Sequence, residues 1–356
     1  MRYVRFLKTP RVVAEKSTSR NEVCCLVTIT SDLGDFFLPY DIELSAELLG
    51  CAGPKEYVLV WKTVQWTGGM RSLSIAIPLS KTQQSWAGLR VRVGAGPKRT
   101  HDDYASLSEQ DARGVVSAWS ATFAPNVEAQ KLVERRFKPP QGPISGIWEE
   151  TGESIARHLW DAGIALSCHL VELTNKNTEL SKALLPPVVS SPLRVLELGT
   201  GCGMVGITLA QTIADARVTL TDLPEAREIV QRNIDTASRA KGASLVFQEL
   251  DWDTEIPLQL QKSLKHLALV VAADCTYNPD SSPALVNTLS RLAKMSSGVI
   301  IAVAMKMRHS SEEIFFDLMA AAGFQETSKI MFPLPGDEEI GEEIVYLHVY
   351  KYATCS

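Results

Sequence analysis

The stretch RVLELGTGCGMVG, residues 194–206, decides how the second half of this 356-residue chain folds. Its first residues are apolar enough for a buried strand, and GMVGITLAQTI (203–213) reads as a helix. Between them lie Gly199, Gly201 and Gly203, with Gly206 one turn on. Glycine reaches positive φ without strain and, having no Cβ, lets a ligand approach the main chain closely. The helix that follows presents N–H groups with no partner of their own.

Working outward, strands and helices alternate. LRVLELG (193–199), ARVTLTD (216–222), SLVFQEL (244–250), LALVVAAD (267–274) and GVIIAVA (298–304) read as strands. The helices are expected over 152–173, 203–213, 224–237, 283–293 and 311–323, and two last strands over 325–334 and 342–352. LALVVAAD is apolar throughout, as a central parallel strand buried on both faces should be. The pattern predicts an α/β fold, a doubly wound, mostly parallel sheet whose final strand is antiparallel. In such sheets ligands bind beyond the carboxyl ends of the strands, where the strand order reverses.

The glycines alone leave two ligands open. Gly201, Gly203 and Gly206 satisfy G-x-G-x-x-G, and Asp222 follows Gly201 by 21 residues, at the end of the second strand. A nicotinamide dinucleotide site has those elements, its acidic residue holding the ribose. S-adenosylmethionine would use the same ribose contact. Two features favour it: the additional Gly199, and Glu197 at the strand end, a carboxylate able to meet the cationic amino-acid end of that ligand.

Taken together, ELGTGCGMVG, TDLPEA (221–226), LDW (250–252), AADCTY (272–277) and the upstream LWDAGIALSCHL (159–170) resemble the seven-β-strand methyltransferases. Within them the chain is similar to the protein-lysine methyltransferases of the methyltransferase-like 21 type, marked by an acidic-x-x-aromatic motif after the fourth strand. The resemblance covers about residues 145–352 and implies S-adenosyl-L-methionine as cofactor. It places Trp160 over the methionine end, Glu197, Gly199, Thr200 and Gly201 around the glycine turn, and Asp222 with Leu223 at the ribose. Trp252 borders the adenine and Ala273 contributes backbone. It makes Asp274 and Tyr277 the catalytic pair that orients a lysine amine. Aromatic faces suit both an adenine and a sulfonium. Direct transfer needs positioning and electrostatics rather than a covalent intermediate, so Cys275 is not expected to be a nucleophile. The implied partner is a protein substrate, with translation factors and chaperones among the family's targets.

The first 125 or so residues differ. VCCLVTIT (23–30), EYVLVWKTVQW (56–66), SLSIAIPL (72–79), LRVRVGA (89–95) and VVSAWSATF (115–123) are short, β-branched strands separated by turn residues. They predict a β-rich sandwich or small barrel over 1–137, available for substrate docking. KPPQGPISG (138–146) is expected to be a linker, leading into the methyltransferase domain over 147–356. KLVERRFK (131–138) is expected to be a solvated face of it.

Composition limits the alternatives. Hydrophobic residues make up 45% and charged residues 22%, with a net charge of -5, so no basic stripe for nucleic acid is expected. Seven cysteines at irregular spacing, without C-x-x-C, argue against a disulfide framework and a structural zinc. The histidines form no ligand pattern, and no metal is expected. No membrane span is expected either; the default is a monomer in the cytoplasm, or the nucleus as a second reducing compartment. The rival functions are a small-molecule methyltransferase, a cofactor-binding module without catalysis, and a dehydrogenase.

Overall fold

The computed structural model describes residues 1–14, 21–80, 83, 86–151, 155–186, 192–336 and 344–353. Cys355 and the first residues expected of the 152–173 helix, 152–154, lie outside these. The chain divides into two compact units, Met1–His158 with Pro335–Glu342, and Leu159–Leu334 with Glu343–Ser356.

The first unit is built from β1 (Arg2–Ala14), β2 (Asn21–Thr30), β3 (Ile42–Ala52), β4 (Lys55–Trp66), β5 (Leu73–Leu79), β6 (Gly88–Ala95), β7 (Asp102–Asp103), β8 (Val115–Val116), β9 (Ala118–Ser120), β10 (Leu132–Lys138) and β11 (Ser145–Glu150). Four strands make one sheet in the order β5-β2-β1-β8, and a larger sheet runs β11-β10-β9-β6-β3-β4 with β7 beside β10. One apolar core joins Val4, Val27 and Ile77 of the first sheet to Leu44, Val91 and Val133 of the second. The two sheets therefore form a sandwich, driven by burial of one face of each.

β1 and β3 are among the strands that escape a sequence reading. RYVRFLKTPRVVA carries basic residues and a proline, and β1 takes them up through register shifts at Phe6/Lys8 and Lys8/Arg11. IELSAELLGCA has a helix-like composition but pairs with β4 and β6 on both sides, tertiary context overriding propensity.

The expected linker at 138–146 is corrected. β10 and β11 pair antiparallel from Leu132↔Glu150 to Phe137↔Ser145, so the Pro/Gly-rich segment is the turn of a hairpin within the first unit. Proline and glycine mark tight turns as strongly as linkers, and the boundary falls between His158 and Leu159 instead. KLVERRFK is likewise not a solvated face. Arg135 is fully buried and pairs with Glu149 at 2.6 Å, while Arg136 pairs with Glu56 at 2.7 Å. Trp148, on β11, lies under the Arg90 guanidinium.

The second unit begins with α1 (Asp161–His169) and α2 (Glu179–Leu184), then runs β12 (Arg194–Leu198), α3 (Met204–Thr212), β13 (Arg217–Asp222), α4 (Arg227–Thr236), β14 (Ser244–Glu249), α5 (Leu258–Ser263), β15 (Leu269–Ala273), α6 (Ser282–Met295), β16 (Ile300–Met305), α7 (Ile314–Ala321), β17 (Phe324–Pro333) and β18 (Ile344–Tyr352). Its seven-stranded sheet has the order β14-β13-β12-β15-β16-β18-β17. The first five are parallel, and β18 runs antiparallel to both neighbours. This is the doubly wound α/β sheet expected. α6 and α7 bury Leu285, Leu289, Phe315 and Met319 against Leu196, Val270, Ile301 and Val303. α1 and α3 pack on each other and on the sheet. The helix expected over 152–173 is α-helical only over Asp161–His169, flanked by 3-10 turns at Ile155–Arg157 and Leu170–Thr174. The chain leaves β12 toward β13 on one side and returns as β15 on the other. The carboxyl ends of β12 and β15 therefore flank the crevice where an open α/β sheet binds its ligand.

The sandwich carries a buried ion pair, Arg92 to Glu47 at 2.9 Å, with side chains 0% and 1% exposed. Removing one partner leaves the other charge uncompensated, so Glu47→Ala should destabilise the first unit by about 3 kcal/mol or more. Thermal or denaturant unfolding of that transition checks it. A change below about 0.5 kcal/mol, the usual range for a surface substitution, would contradict the assignment.

Candidate active site

Glu197, the penultimate residue of β12, is 2% exposed. Its Oε2 accepts hydrogen bonds from Thr200 Oγ1 at 2.7 Å and the Gly206 N–H at 2.9 Å, and its carbonyl accepts from Thr221 Oγ1 at 2.6 Å. One carboxylate thus ties strand, turn, helix and neighbouring strand together. Burial pushes its carboxyl up to about 8, with Asp222 adding to the rise and the Thr200 and Gly206 bonds opposing it. Gly206 is obligatory: a Cβ there would strike Leu220 and stand 2.5 Å from Glu197 Oε2.

The turn itself uses positive φ at Gly199 (61°), Gly201 (53°) and Gly203 (85°), the last being the residue that opens α3. A Cβ on Gly199 would lie 2.5 Å from Cys275 Sγ and 3.2 Å from Trp252 Cζ2. Gly199 is therefore a crossing point where the turn, Trp252 and the end of β15 meet. Asp222, ending β13, accepts from the Gly201 N–H and the Leu223 N–H, each at 2.7 Å. Burial raises its carboxyl and those two bonds oppose the rise. Thr200 is buried, Leu223 is exposed, and Trp252 and Ala273 are half-buried.

Past Ala273 the chain turns sharply. Asp274 sits at φ 54°, a left-handed conformation that costs a non-glycine residue roughly 1–2 kcal/mol. Non-glycine residues held there cluster at functional sites. Its Oδ2 accepts the Ala162 N–H at 2.6 Å, supplying the cap that α1 lacks from its own Trp160, and its Oδ1 pairs with Arg308 Nη1 at 2.8 Å. Cys275 is buried, with Sγ 3.3 Å from the Leu198 carbonyl, and burial lifts its thiol well above the ordinary range. It is packing beneath the glycine turn, not a thiolate. Tyr277 is 48% exposed, and its ring lies parallel to that of Trp160, centroids 6.5 Å apart and 8° between planes. Burial of its inner half raises the phenol, which stays neutral near pH 7.

Two residues absent from the sequence reading complete the rim. Lys306 Nζ pairs with the fully buried Asp161 at 2.8 Å, and Arg308 lies over the Trp160 ring at 5.7 Å from its centroid. Their signal was available: MKMRH (305–309) sets two cations on alternate positions directly after an apolar strand. Every sequence-predicted site residue thus stands at the carboxyl ends of β12, β13, β14 and β15 or at the start of α1. Among the described residues no His/Cys/Asp/Glu group is arranged to hold a metal, and no helix is long and apolar enough to cross a membrane.

A seven-stranded open sheet with a glycine turn, a buried acid before it and an acid ending the next strand defines an S-adenosylmethionine-dependent methyltransferase. A family model described as lysine methyltransferase matches residues 141–322, and the chain belongs to that family. It is 28% identical over 318 residues to the UPF0665 family protein C23C4.06c of Schizosaccharomyces pombe, covering 88% of this chain and 91% of that one. Protein N-lysine methyltransferase METTL21A of Danio rerio is 29% identical over 48% of this chain and 69% of its own. EEF1A lysine methyltransferase 3 of Xenopus tropicalis is 30% identical over 35% of this chain and 53% of its own. The protein is thus an S-adenosylmethionine-dependent enzyme of the protein-lysine N-methyltransferase kind. The residues fit that cofactor: three glycines at positive φ bare the main chain of the turn, and the Asp222 carboxylate ends the neighbouring strand beside it.

Two predictions follow from the turn. Gly199→Ala adds a methyl against Cys275 and Trp252 at positive φ, and should weaken S-adenosylmethionine binding at least about tenfold by calorimetry; an unchanged Kd would refute the crossing point. The second concerns pH. The folded state holds Glu197's proton up to about 8, whereas an unfolded carboxyl releases it near 4.5. Folding therefore takes up a proton in that window, and this group's contribution to stability declines as pH rises from about 5 to about 8. The melting midpoint of the ligand-free Glu197→Gln variant should gain on the unsubstituted protein across that range. A pH-independent difference between the two would contradict the burial of this carboxylate.

Proposed function

We propose that the crevice holds the cofactor's ribose at Asp222, its amino-acid end at the Gly199–Gly201 turn that Glu197 anchors, and its adenine between Leu223 and Trp252, with Trp160 closing over the methionine end. Bound there, S-adenosylmethionine supplies an electrophilic methyl, which the lone pair of a lysine ε-amine takes while the carbon–sulfur electrons leave to sulfur. The Gly199–Gly201 main chain brings the donor close, as only glycine allows. Trp160 and Tyr277 present two parallel aromatic faces to the aliphatic stem and head of the lysine. Tyr277's neutral phenol accepts a hydrogen bond from the amine and orients its lone pair, and Asp274 holds α1, with Trp160, in place. Rate comes from orientation, since no group here is a strong base.

The observation that carries this reading is the contact of Cys275 Sγ with the Leu198 and Gly199 carbonyls, at 3.3 and 3.9 Å. It joins the Asp274–Tyr277 segment to the glycine turn, so donor and acceptor residues share one crevice. The acceptor is proposed to be a lysine on a protein of the translation-factor type, by analogy with relatives named for EEF1A, and the β-sandwich to dock it. One chain carries the full residue set, so the enzyme is proposed to act as a monomer. No disulfide joins the six described cysteines, which suits the cytoplasm or nucleus.

Labelled S-adenosylmethionine and an extract from cells lacking this protein test the proposal. A labelled protein band that yields N-methyl-lysine on hydrolysis is expected, lost in Asp222→Ala through a cofactor Kd raised about tenfold or more. Tyr277→Phe should lower transfer about tenfold or more while leaving that Kd within about twofold. Label on small molecules only, or on arginine, would overturn it.

A further inference from the structure

At the start of α1, Trp160 and Asp161 are held from the segment after β16, and Ala162 from the end of β15. Arg308's guanidinium lies over the Trp160 ring, Lys306 Nζ pairs with Asp161, and Asp274, itself paired with Arg308, caps the Ala162 N–H. Lys306 and Arg308 lie two residues apart just past β16, and both cations reach the same helix end. Arg308 touches both the Trp160 ring and the Asp274 carboxylate. Its side chain is 10% exposed, and Asp274's 2%, so the pair is withdrawn from water, where an ion pair holds its geometry far better than on a surface. A guanidinium can pair edge-on with a carboxylate and lie flat on an indole at once, which an ammonium cannot.

We infer that Arg308 is the positioning residue of the acceptor wall: by gripping Asp274 and covering Trp160 it fixes the Trp160–Tyr277 slot that receives the lysine. The inference rests on the acceptor role proposed for that slot. It also assigns Asp274. A carboxylate already accepting from Ala162 N–H and Arg308 is occupied in orienting α1, so the amine's proton leaves to solvent and not to Asp274. The cofactor contacts at Gly199, Gly201 and Asp222 do not involve Arg308, and Trp160 alone of the proposed cofactor contacts adjoins it, so methyl transfer should fall more than cofactor binding when it is changed.

The test compares Arg308→Met, Arg308→Lys, Asp274→Ala and the Arg308→Met/Asp274→Ala pair with the unsubstituted enzyme. The readouts are cofactor Kd by calorimetry, label transfer to extract protein at saturating cofactor, and melting as a check of folding. Arg308→Met should lower transfer about tenfold to a hundredfold while cofactor Kd rises by a clearly smaller factor, since a misplacement of about 1 Å costs on that scale. Arg308→Lys should recover part of the loss by keeping the charge without the planar stacking. In the Asp274→Ala background most of the Arg308→Met effect should vanish, because the two act as one unit. Unchanged transfer, a Kd that rises in step with the lost rate, or full additivity in the pair each overturns the inference. Should Arg308→Met fail to fold, Arg308→Lys decides: reduced transfer with unchanged Kd supports the assignment and full transfer refutes it. If the unsubstituted enzyme binds cofactor yet labels no protein, the lysine reading itself fails and this inference with it, an outcome distinct from the others.

Discussion

One buried carboxylate organises the catalytic unit. Glu197 accepts from the side chain of Thr200 and the main chain of Gly206, while its own carbonyl accepts from Thr221. Those bonds set the path of the chain from β12 through the glycine turn into α3, and fix β13 beside it. The positive φ values at Gly199, Gly201 and Gly203 follow from that path, as does the exclusion of any side chain at Gly206. An apolar residue at 197 would leave the Gly206 N–H without its buried acceptor and the turn without its anchor, a loss of roughly 1–3 kcal/mol for each orphaned group.

A second carboxylate does for the acceptor side what Glu197 does for the donor side. Asp274 takes a strained conformation, and the strain is repaid by two bonds reaching α1 and Arg308. The two halves meet at Cys275, a small buried thiol that fills the space below Gly199. The division of labour explains how one sheet serves a cofactor and a bulky acceptor. On the proposed reading, donor contacts come from the main chain of the glycine turn and from Asp222 at the end of β13. Acceptor contacts, on the same reading, come from the aromatic rings at the start of α1 and after β15.

Much of this was legible in the sequence, and the reasons differ by region. The alternation of apolar strands with amphipathic helices gave the second unit almost element by element, since each strand of a parallel sheet is a continuous apolar run. The glycines, Glu197 and Asp222 were legible because each answers a local backbone need. The two cations of MKMRH were visible but their role was not, because the partners of Lys306 and Arg308, Asp161 and Asp274, lie 145 and 34 residues away and a charged pair after a strand usually faces water. The same limit explains the misread hairpin at 138–146: its turn residues were visible, but its pairing from Leu132↔Glu150 onward was not. β3 was hidden by a composition that suits a helix until two neighbouring strands claim it.

The central claim is that donor and acceptor groups share the crevice between β12 and β15. A crystal structure with S-adenosylhomocysteine bound tests it most directly. The account predicts ribose hydroxyls on Asp222, the amino-acid end at the Gly199–Gly201 turn, and the sulfur directed at the Trp160–Tyr277 slot. Density for the ligand anywhere else, or a sulfur turned away from those two rings, would contradict it.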